Sequence, residues 1–256
     1  MKKEINETGK MTDARLLRAI AAAETECKES SIGRLGEKML HRTLKYYLEP
    51  DRSYHEVDLL GSVADIKRGD RIIEIQTRSF SRLGPKLEKF LQSHSVTVVY
   101  PVVTERTVCW CDPESGELIS ERTSSKKCRP CDLFSELTSI PDRIGKDGLS
   151  FMLIPVKARE YRLLDGRGKD KKLHATRLNT HLCGVGEALT VRTAKDLAAL
   201  IPDNLGEKFT ARDFSRVMRL RGIKASLTLR LVCLLGIAEK IGKEGNAFVY
   251  ERKYFS

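Results

Sequence analysis

The first fifty residues carry the apolar pattern of two amphipathic helices. Residues 11–29 and 36–48 each repeat apolar side chains at the three- and four-residue spacing that gives a helix one apolar face. On the second helix Glu37 and His41 are four residues apart and therefore share a different face. We expect the first helix to dock onto the domain that follows it.

The pattern then changes to that of three short strands. Residues 54–59, 63–66 and 71–76 are rich in apolar and β-branched residues and are separated by glycine-containing turns, which predicts a three-strand meander. Side chains alternate between the two faces of a strand. Glu74 and Gln76 should therefore lie together on the face opposite to the neighbouring isoleucines.

A helix over residues 85–92 and a buried strand over residues 96–103 complete the first pattern. The order is helix, three strands, helix and strand, which indicates an α/β fold with a sheet flanked by helices. Residues 104–148 are interpreted as a less regular extension, and residues 151–157 restore one apolar strand. We assign all of this to a first domain, residues 1–160.

The remainder of the chain is predicted to form a basic linker and a second domain. Residues 161–186 contain a glycine-rich basic run and are interpreted as the linker. Residues 187–256 contain three short helices, two of them with Thr193 and Thr210 as N-caps, followed by a hairpin. Three helices and a two-stranded basic hairpin predict a winged helix-turn-helix domain, which commonly lays its third helix in the DNA major groove.

The amino-acid composition narrows the classes of partner that the chain is expected to bind. The 256 residues include 46 Lys and Arg against 35 Asp and Glu, for a formal charge of +11. Such an excess favours polyanions, because neutralising phosphates releases condensed counterions. No apolar run approaches the roughly 20 residues that cross a bilayer, and the first ten residues are polar. We therefore predict a cytoplasmic protein with a nucleic-acid partner and no membrane partner.

The chemistry is predicted to centre on the second and third strands. Asp65 and Glu74 are nine residues apart across a tight turn, so their carboxylates could share one metal ion if the strands pair. The backbone carbonyl of Ile75 could add a third oxygen ligand, and Gln76 could hold an attacking water. Carboxylate-bound magnesium neutralises charge and activates water in phosphodiester hydrolysis, which makes magnesium or manganese the expected cofactor.

Here the chain resembles the PD-(D/E)xK nuclease superfamily, which includes restriction endonucleases and Holliday-junction resolvases. The resemblance covers residues 33–103 and is carried by the element order together with Glu37, Asp65 and Glu74-Ile75-Gln76. It implies a restriction-endonuclease-like core, an αβββαβ mixed sheet flanked by helices, and metal-dependent DNA hydrolysis. It also implies that Glu37, Asp65 and Glu74 are the catalytic acids, and it allows a homodimer.

One position departs from the superfamily pattern. The usual triplet ends in Lys, whose charge stabilises the reaction, whereas Gln76 is neutral and only forms hydrogen bonds. Lys67, two residues beyond Asp65, is a candidate substitute cation, with a solvated turn lysine as the simpler interpretation. Polar residues on a hairpin often simply face water, so the two carboxylates alone do not establish a site.

Further basic and polar residues are candidates for DNA contact. Arg78 and Arg82 follow the triplet and could bind phosphate on the metal face. In the predicted third helix and wing, the candidates are Lys224, Ser226, Thr228, Arg230 and Lys243.

Four cysteines could in principle hold a structural zinc ion: Cys109, Cys111, Cys128 and Cys131. Standard zinc ribbons use two CxxC knuckles, and the first pair here is only CxC. The sequence therefore favours reduced cysteines over zinc.

Together these patterns predict a metal-dependent endonuclease that hydrolyses DNA phosphodiester bonds, with the winged helix positioning the DNA. The alternative is a catalytically inactive, nuclease-like protein that binds DNA as a regulator. RNA as the substrate is a third and weaker hypothesis.

Overall fold

A computed structural model gives the structure of the chain, and it describes residues 4–5, 11–12, 14–29, 39–77, 79–166 and 175–255. Two predicted site residues, Glu37 and Arg78, lie outside the described residues. Everything below concerns the described parts of the chain.

Helix α1 spans Ala14–Glu29 and helix α2 spans Met39–Leu48. They follow a pair of two-residue antiparallel strands, β1 (Glu4–Ile5) and β2 (Met11–Thr12). The two helices lie against each other, and they confirm the predicted helices over residues 14–29 and 39–48. The first helix begins three residues later than predicted.

The centre of the molecule is a mixed sheet of eight strands. Its main path runs β10-β8-β6-β5-β4-β3, with β7 paired to β6 and β9 paired to β8. Strands β5 and β8 pair parallel with β6, and the remaining neighbours are antiparallel. The strands are β3 (His55–Leu59), β4 (Ser62–Arg68), β5 (Arg71–Ile75), β6 (Ser95–Cys111), β7 (Leu118–Thr123), β8 (Leu149–Leu163), β9 (Thr176–Val185) and β10 (Leu189–Val191).

Helix α3 spans Leu83–Phe90 and connects β5 to its parallel neighbour β6. Pro85 sits in its first turn, where a missing N–H costs no helical hydrogen bond. The observed order α2, β3, β4, β5, α3, β6 agrees with the predicted order of elements, and the helices flank a mixed sheet as expected.

Two segments were predicted wrongly. Residues 104–148 are more regular than the predicted extension, because β6 continues to Cys111, β7 follows it, and a short helix α4 spans Leu133–Leu137. Both described ends of the predicted linker 161–186 belong to the sheet: β8 runs to Leu163, and β9 pairs with β8 over residues 176–185. Charged residues interrupt the apolar pattern in these two segments, so the pattern did not predict strands there. The strands form because neighbouring strands satisfy their backbone hydrogen bonds.

The C-terminal part contains three helices and a second sheet, with strands in the order β11-β13-β12. Thr193 and Thr210 cap the first two helices in capping boxes with Asp196 and Asp213, as predicted. The elements are α5 (Ala194–Ala198), β11 (Lys208–Thr210), α6 (Ala211–Met218), α7 (Gly222–Leu234), β12 (Ala238–Glu244) and β13 (Ala247–Arg252).

The apolar core joins the two parts of the chain. One cluster of buried residues extends from α3 and the sheet, through α4, to the C-terminal helices, and includes Leu87, Phe151, Phe134 and Phe214. A second cluster lies between the sheet and helices α1 and α2. The C-terminal helices therefore pack on the same core as one face of the large sheet.

Among the described residues, no helix has the length and apolar character required to cross a membrane.

Candidate active site

Strands β4 and β5 bring Asp65 and Glu74 to one place. Ile66 pairs with Ile73 and Lys67 with Ile72 around a turn in which Gly69 adopts a φ of +61°. Continuing that register places Asp65 opposite Glu74. The hairpin therefore juxtaposes the two carboxylates that the sequence analysis singled out.

The two side chains replace backbone hydrogen bonds where the strands separate. The amide of Ile75 donates to Asp65 Oδ2 at 2.7 Å, and the amide of Asp65 donates to Glu74 Oε1 at 3.3 Å. Each carboxylate is thus held by the backbone of the opposite strand. The reciprocal hydrogen bonds fix both acids relative to the sheet, and this local order follows directly from their spacing along the chain.

Each carboxylate also contacts a helix. Asp65 Oδ2 lies 3.3 Å from Nε2 of His41 on α2, and each of these side chains is 17 % exposed. Glu74 Oε2 accepts a hydrogen bond of 2.7 Å from Nζ of Lys86 on α3, and the Glu74 side chain is fully buried while Lys86 is 28 % exposed. The four side chains form one polar chain that links α2, the hairpin and α3.

The electrostatics separate the two acids. Burial is the largest cause that raises the pKa of Glu74, the Asp65 carboxylate adds to it, and Lys86 works in the opposite direction, so that the resulting pKa is about 7. Burial also opposes ionisation of Asp65, but the His41 hydrogen bond and charge, with the Ile75 amide, hold its pKa below the usual range. Asp65 is therefore the stronger acid of the pair, and Glu74 carries a proton in part of the molecules near neutral pH.

Gln76 and Lys67 differ in their relation to the site. The half-buried Gln76 continues the strand, because its backbone N–H donates a hydrogen bond of 2.8 Å to the carbonyl of Val99. The Lys67 ammonium donates at 3.1 Å to the carbonyl of Gly69 within the turn. Lys67 as a substitute cation is therefore wrong, since the side chain that reaches the acids is Lys86.

Lys86 is the residue that the sequence analysis missed. It lies in the first turns of α3, directly after Pro85, and is twelve residues beyond Glu74. Its position in the chain gave a weak signal, because a helix was predicted there, but nothing in the spacing relates that helix to β5. Only the packing of α3 against the sheet brings the ammonium to the carboxylate.

Carboxylate oxygens make Asp65 and Glu74 the natural ligands for a hard divalent cation at this position. Among the described residues, no group of three His, Cys, Asp or Glu side chains is arranged to hold a metal ion. The third predicted acid, Glu37, falls outside the described residues. A metal at this position would be held by the two carboxylates with other oxygen ligands, such as water or a substrate phosphate.

Comparison with known proteins places this region in a family. Residues 38–192, more than half of the chain, match a family described as a domain of unknown function, DUF8091. The chain belongs to the DUF8091 family. It is also similar to a protein of Treponema pallidum (strain Nichols) described as uncharacterized, with 28 % identity over 218 residues that cover 85 % of this chain and 86 % of the relative. No solved structure matches the chain.

Asp65, Glu74 and Lys86 all lie within the DUF8091 region, together with the complete large sheet. The similarity to the Treponema pallidum protein extends over more residues than the DUF8091 region contains. The polar chain is thus a feature of the family region, whereas helices α5 to α7 lie beyond it.

The predicted DNA-contacting residues fall into two groups. Two sets of candidates are exposed: Arg82 in the DUF8091 region, and Lys224, Ser226, Arg230 and Lys243 in the C-terminal part. Thr228 is fully buried in α7, and its hydroxyl has no hydrogen-bond partner among the described residues. Thr228 as a DNA contact is therefore wrong, because its side chain faces the core rather than solvent.

The four cysteines considered as zinc ligands lie in two different segments of the chain. Cys109 and Cys111 are buried near the end of β6, where they pair with β7 and β8. Cys128 and Cys131 both precede α4, and the Cys128 backbone amide donates to the carbonyl of Val103. All four are free cysteines.

Proposed function

We propose that this protein is a metal-dependent endonuclease that hydrolyses DNA phosphodiester bonds in the manner of the PD-(D/E)xK superfamily. The observation that carries the proposal is the convergence of Asp65, Glu74 and Lys86 at the point where β4 and β5 separate. Two acids on neighbouring strands and a nearby cation are the groups that such hydrolysis requires. The cation comes from a helix, which compensates for the neutral Gln76.

The order of elements supports this assignment. Helix α2, the meander β3 to β5, helix α3 and the parallel strand β6 follow the αβββαβ order that the resemblance implies. The C-terminal order α5, β11, α6, α7, β12, β13, with sheet order β11-β13-β12, is the order expected of a winged helix. The formal charge of +11 supports a polyanionic substrate.

The residues of the site take distinct roles in this proposal. Asp65 and Glu74 would hold magnesium or manganese, which would supply charge neutralisation and an acidified water. The Lys86 ammonium stabilises the ionised form of Glu74 and lies where it can balance negative charge on a bound phosphate. The Gln76 amide side chain would orient the water, and His41 holds Asp65 in place.

The proposal is tested by Glu74→Ala and Asp65→Ala on supercoiled, single-stranded, flapped and four-way-junction DNA, with magnesium or manganese. We expect metal-dependent cleavage by the wild type, loss of cleavage in both variants, and retained DNA affinity. Glu88→Ala is the matched control, because this glutamate is on the exposed side of α3 and pairs with Arg143. Cleavage that persists in Glu74→Ala at the wild-type rate would contradict the proposal.

A second candidate is a DNA-binding regulator without hydrolytic activity. Gln76 in place of the usual lysine, and a Glu74 whose charge is already balanced by Lys86, favour it. In that case the wild type binds DNA but does not cleave any of the four substrates with either metal. Competition between RNA and DNA of matched length decides whether the nucleic acid is DNA.

A further inference from the structure

A small basic cavity is lined by residues that are adjacent in sequence to residues of the candidate site. It has a volume of about 170 Å³, and its polar lining consists of Thr77, Arg106, Arg177 and Thr180, with apolar residues around them. Two positions tie it to the site: Thr77 follows Gln76, and the lining residue Leu40 precedes His41. The cavity is therefore lined by the sequence neighbours of Gln76 and of His41, the helix residue that contacts Asp65.

The lining suits an anion. The guanidinium and hydroxyl groups of the lining can all donate hydrogen bonds, and no carboxylate contributes to the described lining of the cavity. The volume is well below the roughly 300–1,000 Å³ of pockets for drug-sized ligands, and it fits a compact group. A tetrahedral phosphate is a compact anion that arginine binds with several hydrogen bonds at once.

Both arginines of the cavity, Arg106 and Arg177, lie near the carboxylate of Glu160. This carboxylate is 1 % exposed and accepts hydrogen bonds of 2.8 and 2.6 Å from Arg162 and another from Arg177. Arg106 lies farther away, with its Nη1 3.8 Å from Glu160 Oε2. One carboxylate thus faces three guanidinium groups of the described chain.

Arg106 has donor capacity to spare. Its Nε is buried and has no hydrogen-bond partner among the described residues, and its ion pair with Glu160 is longer than a hydrogen bond. A bulge between Val103 and Glu105 in β6 shifts the strand alternation, so that Val103 and Arg106 both line the cavity. A bulge beside a site is a common way to aim a side chain at a ligand.

From these observations we propose that the cavity binds a phosphate group of the substrate strand and so anchors that strand beside the acids. The inference rests on the proposed function, since it concerns the same site and names how its substrate is held. The shared chemistry is a phosphate, which is either the terminal phosphate of a strand or an internal phosphodiester.

The test measures binding without hydrolysis. Internally labelled single-stranded oligonucleotides with a 5′-phosphate, a 3′-phosphate or hydroxyl ends are titrated in the presence of EDTA, with inorganic phosphate as competitor. Arg106→Gln is compared with Arg122→Gln, which removes an exposed arginine on β7 outside the cavity. Thr180→Val is a second cavity variant, in case Arg106→Gln does not fold, as judged by circular dichroism.

We expect about a tenfold loss of affinity in the cavity variants relative to Arg122→Gln, which corresponds to about 1.4 kcal/mol. Loss confined to one phosphorylated oligonucleotide identifies a terminal phosphate, and equal loss for all three identifies an internal one. Equal affinities of the cavity and control variants for every oligonucleotide overturn the inference. The binding test contains no metal, so its result does not depend on hydrolysis. A protein that binds phosphate in this test but never cleaves DNA would overturn the proposed hydrolysis and leave the phosphate site standing.

Discussion

Nζ of Lys86 donates a hydrogen bond of 2.7 Å to Oε2 of Glu74, and this pair joins helix α3 to the strand that carries the candidate active site. Glu74 is fully buried, so Lys86 is the positive charge that permits its ionisation within the protein. In the proposed nuclease, the same pair would supply the positive charge that the neutral Gln76 lacks.

Replacement of Lys86 should impair both the charge balance and the reaction. In Lys86→Met the pKa of Glu74 should rise above about 7, because the ammonium that lowers it is gone. We expect the cleavage rate at pH 7 to fall by about a hundredfold, which is in the range of lost electrostatic catalysis. The pH at which the cleavage rate rises should also shift to a higher value. Cleavage assays between pH 6 and 9 measure both effects.

Lys89→Met is the control for that experiment, since Lys89 lies on the same helix but donates to the Ser62 hydroxyl. Equal cleavage profiles of the two variants would show that Lys86 has no role at the site. Lys86→Arg retains the charge and should recover part of the activity.

Stability in the absence of metal should depend on the protonation of Glu74. Its pKa is about 7 in the folded protein against an ordinary value of 4.5. Between these values the folded protein retains a proton that the unfolded chain releases, so the contribution of Glu74 to stability falls as pH rises. A shift of this size corresponds to a loss of at most about 3 kcal/mol across the window.

Glu74→Gln should remove this dependence, because the amide does not titrate. We expect its free energy of unfolding, from urea titrations at pH 5, 6, 7 and 8 with EDTA, to exceed that of the wild type at pH 8. The difference between the two proteins should shrink towards pH 5. Parallel pH profiles of the two proteins would argue against a raised pKa at this position.

Positions along α7 and the wing should respond differently to substitution if this part binds DNA. Arg230→Gln and Lys243→Gln remove exposed charges and should weaken DNA binding, with a salt dependence reduced by about one counterion per lost phosphate contact. Thr228→Val should leave DNA affinity unchanged, because Thr228 is buried. Fluorescence anisotropy at several salt concentrations separates these outcomes, and weakened binding in Thr228→Val alone would contradict this view of α7.

The guanidinium of Arg129 should couple the segment before α4 to the C-terminal helices. It donates hydrogen bonds of 2.9 Å to the carbonyls of both Val217 and Met218 at the end of α6. Arg129→Met should lower the free energy of unfolding by about 1–3 kcal/mol, since half-buried carbonyls lose their donors. Lys127→Met, an exposed lysine two residues earlier, is the control.

Denaturant titrations followed by circular dichroism and by the fluorescence of Trp110, the single tryptophan, measure this loss. We expect the two signals to give one coincident transition in the wild type, because one apolar cluster serves both parts of the chain. Separate transitions would show that the two parts unfold independently.

Short-range patterns predicted the elements around the candidate site. Alternation in β5 placed Glu74 opposite in direction to its isoleucine neighbours, and the spacing of Asp65 and Glu74 gave their pairing across the turn. The caps at Thr193 and Thr210 were equally local. Each of these features depends on residues within about ten positions of one another, so the geometry of a single helix, strand or hairpin is sufficient to predict it.

Features that depend on distant partners were not predictable in the same way. Residues 104–111 and 176–185 contain too many polar residues to form an apolar run, yet β6 and β9 form there because β8 supplies backbone partners. Thr228 lies in a helix with leucines on most sides, so the sequence did not reveal which face is buried. Lys86 reaches Glu74 only through the packing of α3 on the sheet.

The location of Lys86 on a helix has a consequence for the order in which the site is completed during folding. A cation within the strand triplet would arrive with the β4–β5 hairpin, a local structure of the kind that forms within microseconds. Here the cation arrives only when α3 docks on the sheet and β5 pairs with its parallel neighbour β6, which needs contacts that are distant in sequence. A partly folded chain therefore holds the two acids without their counter-charge, and the site gains its balance of charge only as the core closes around it.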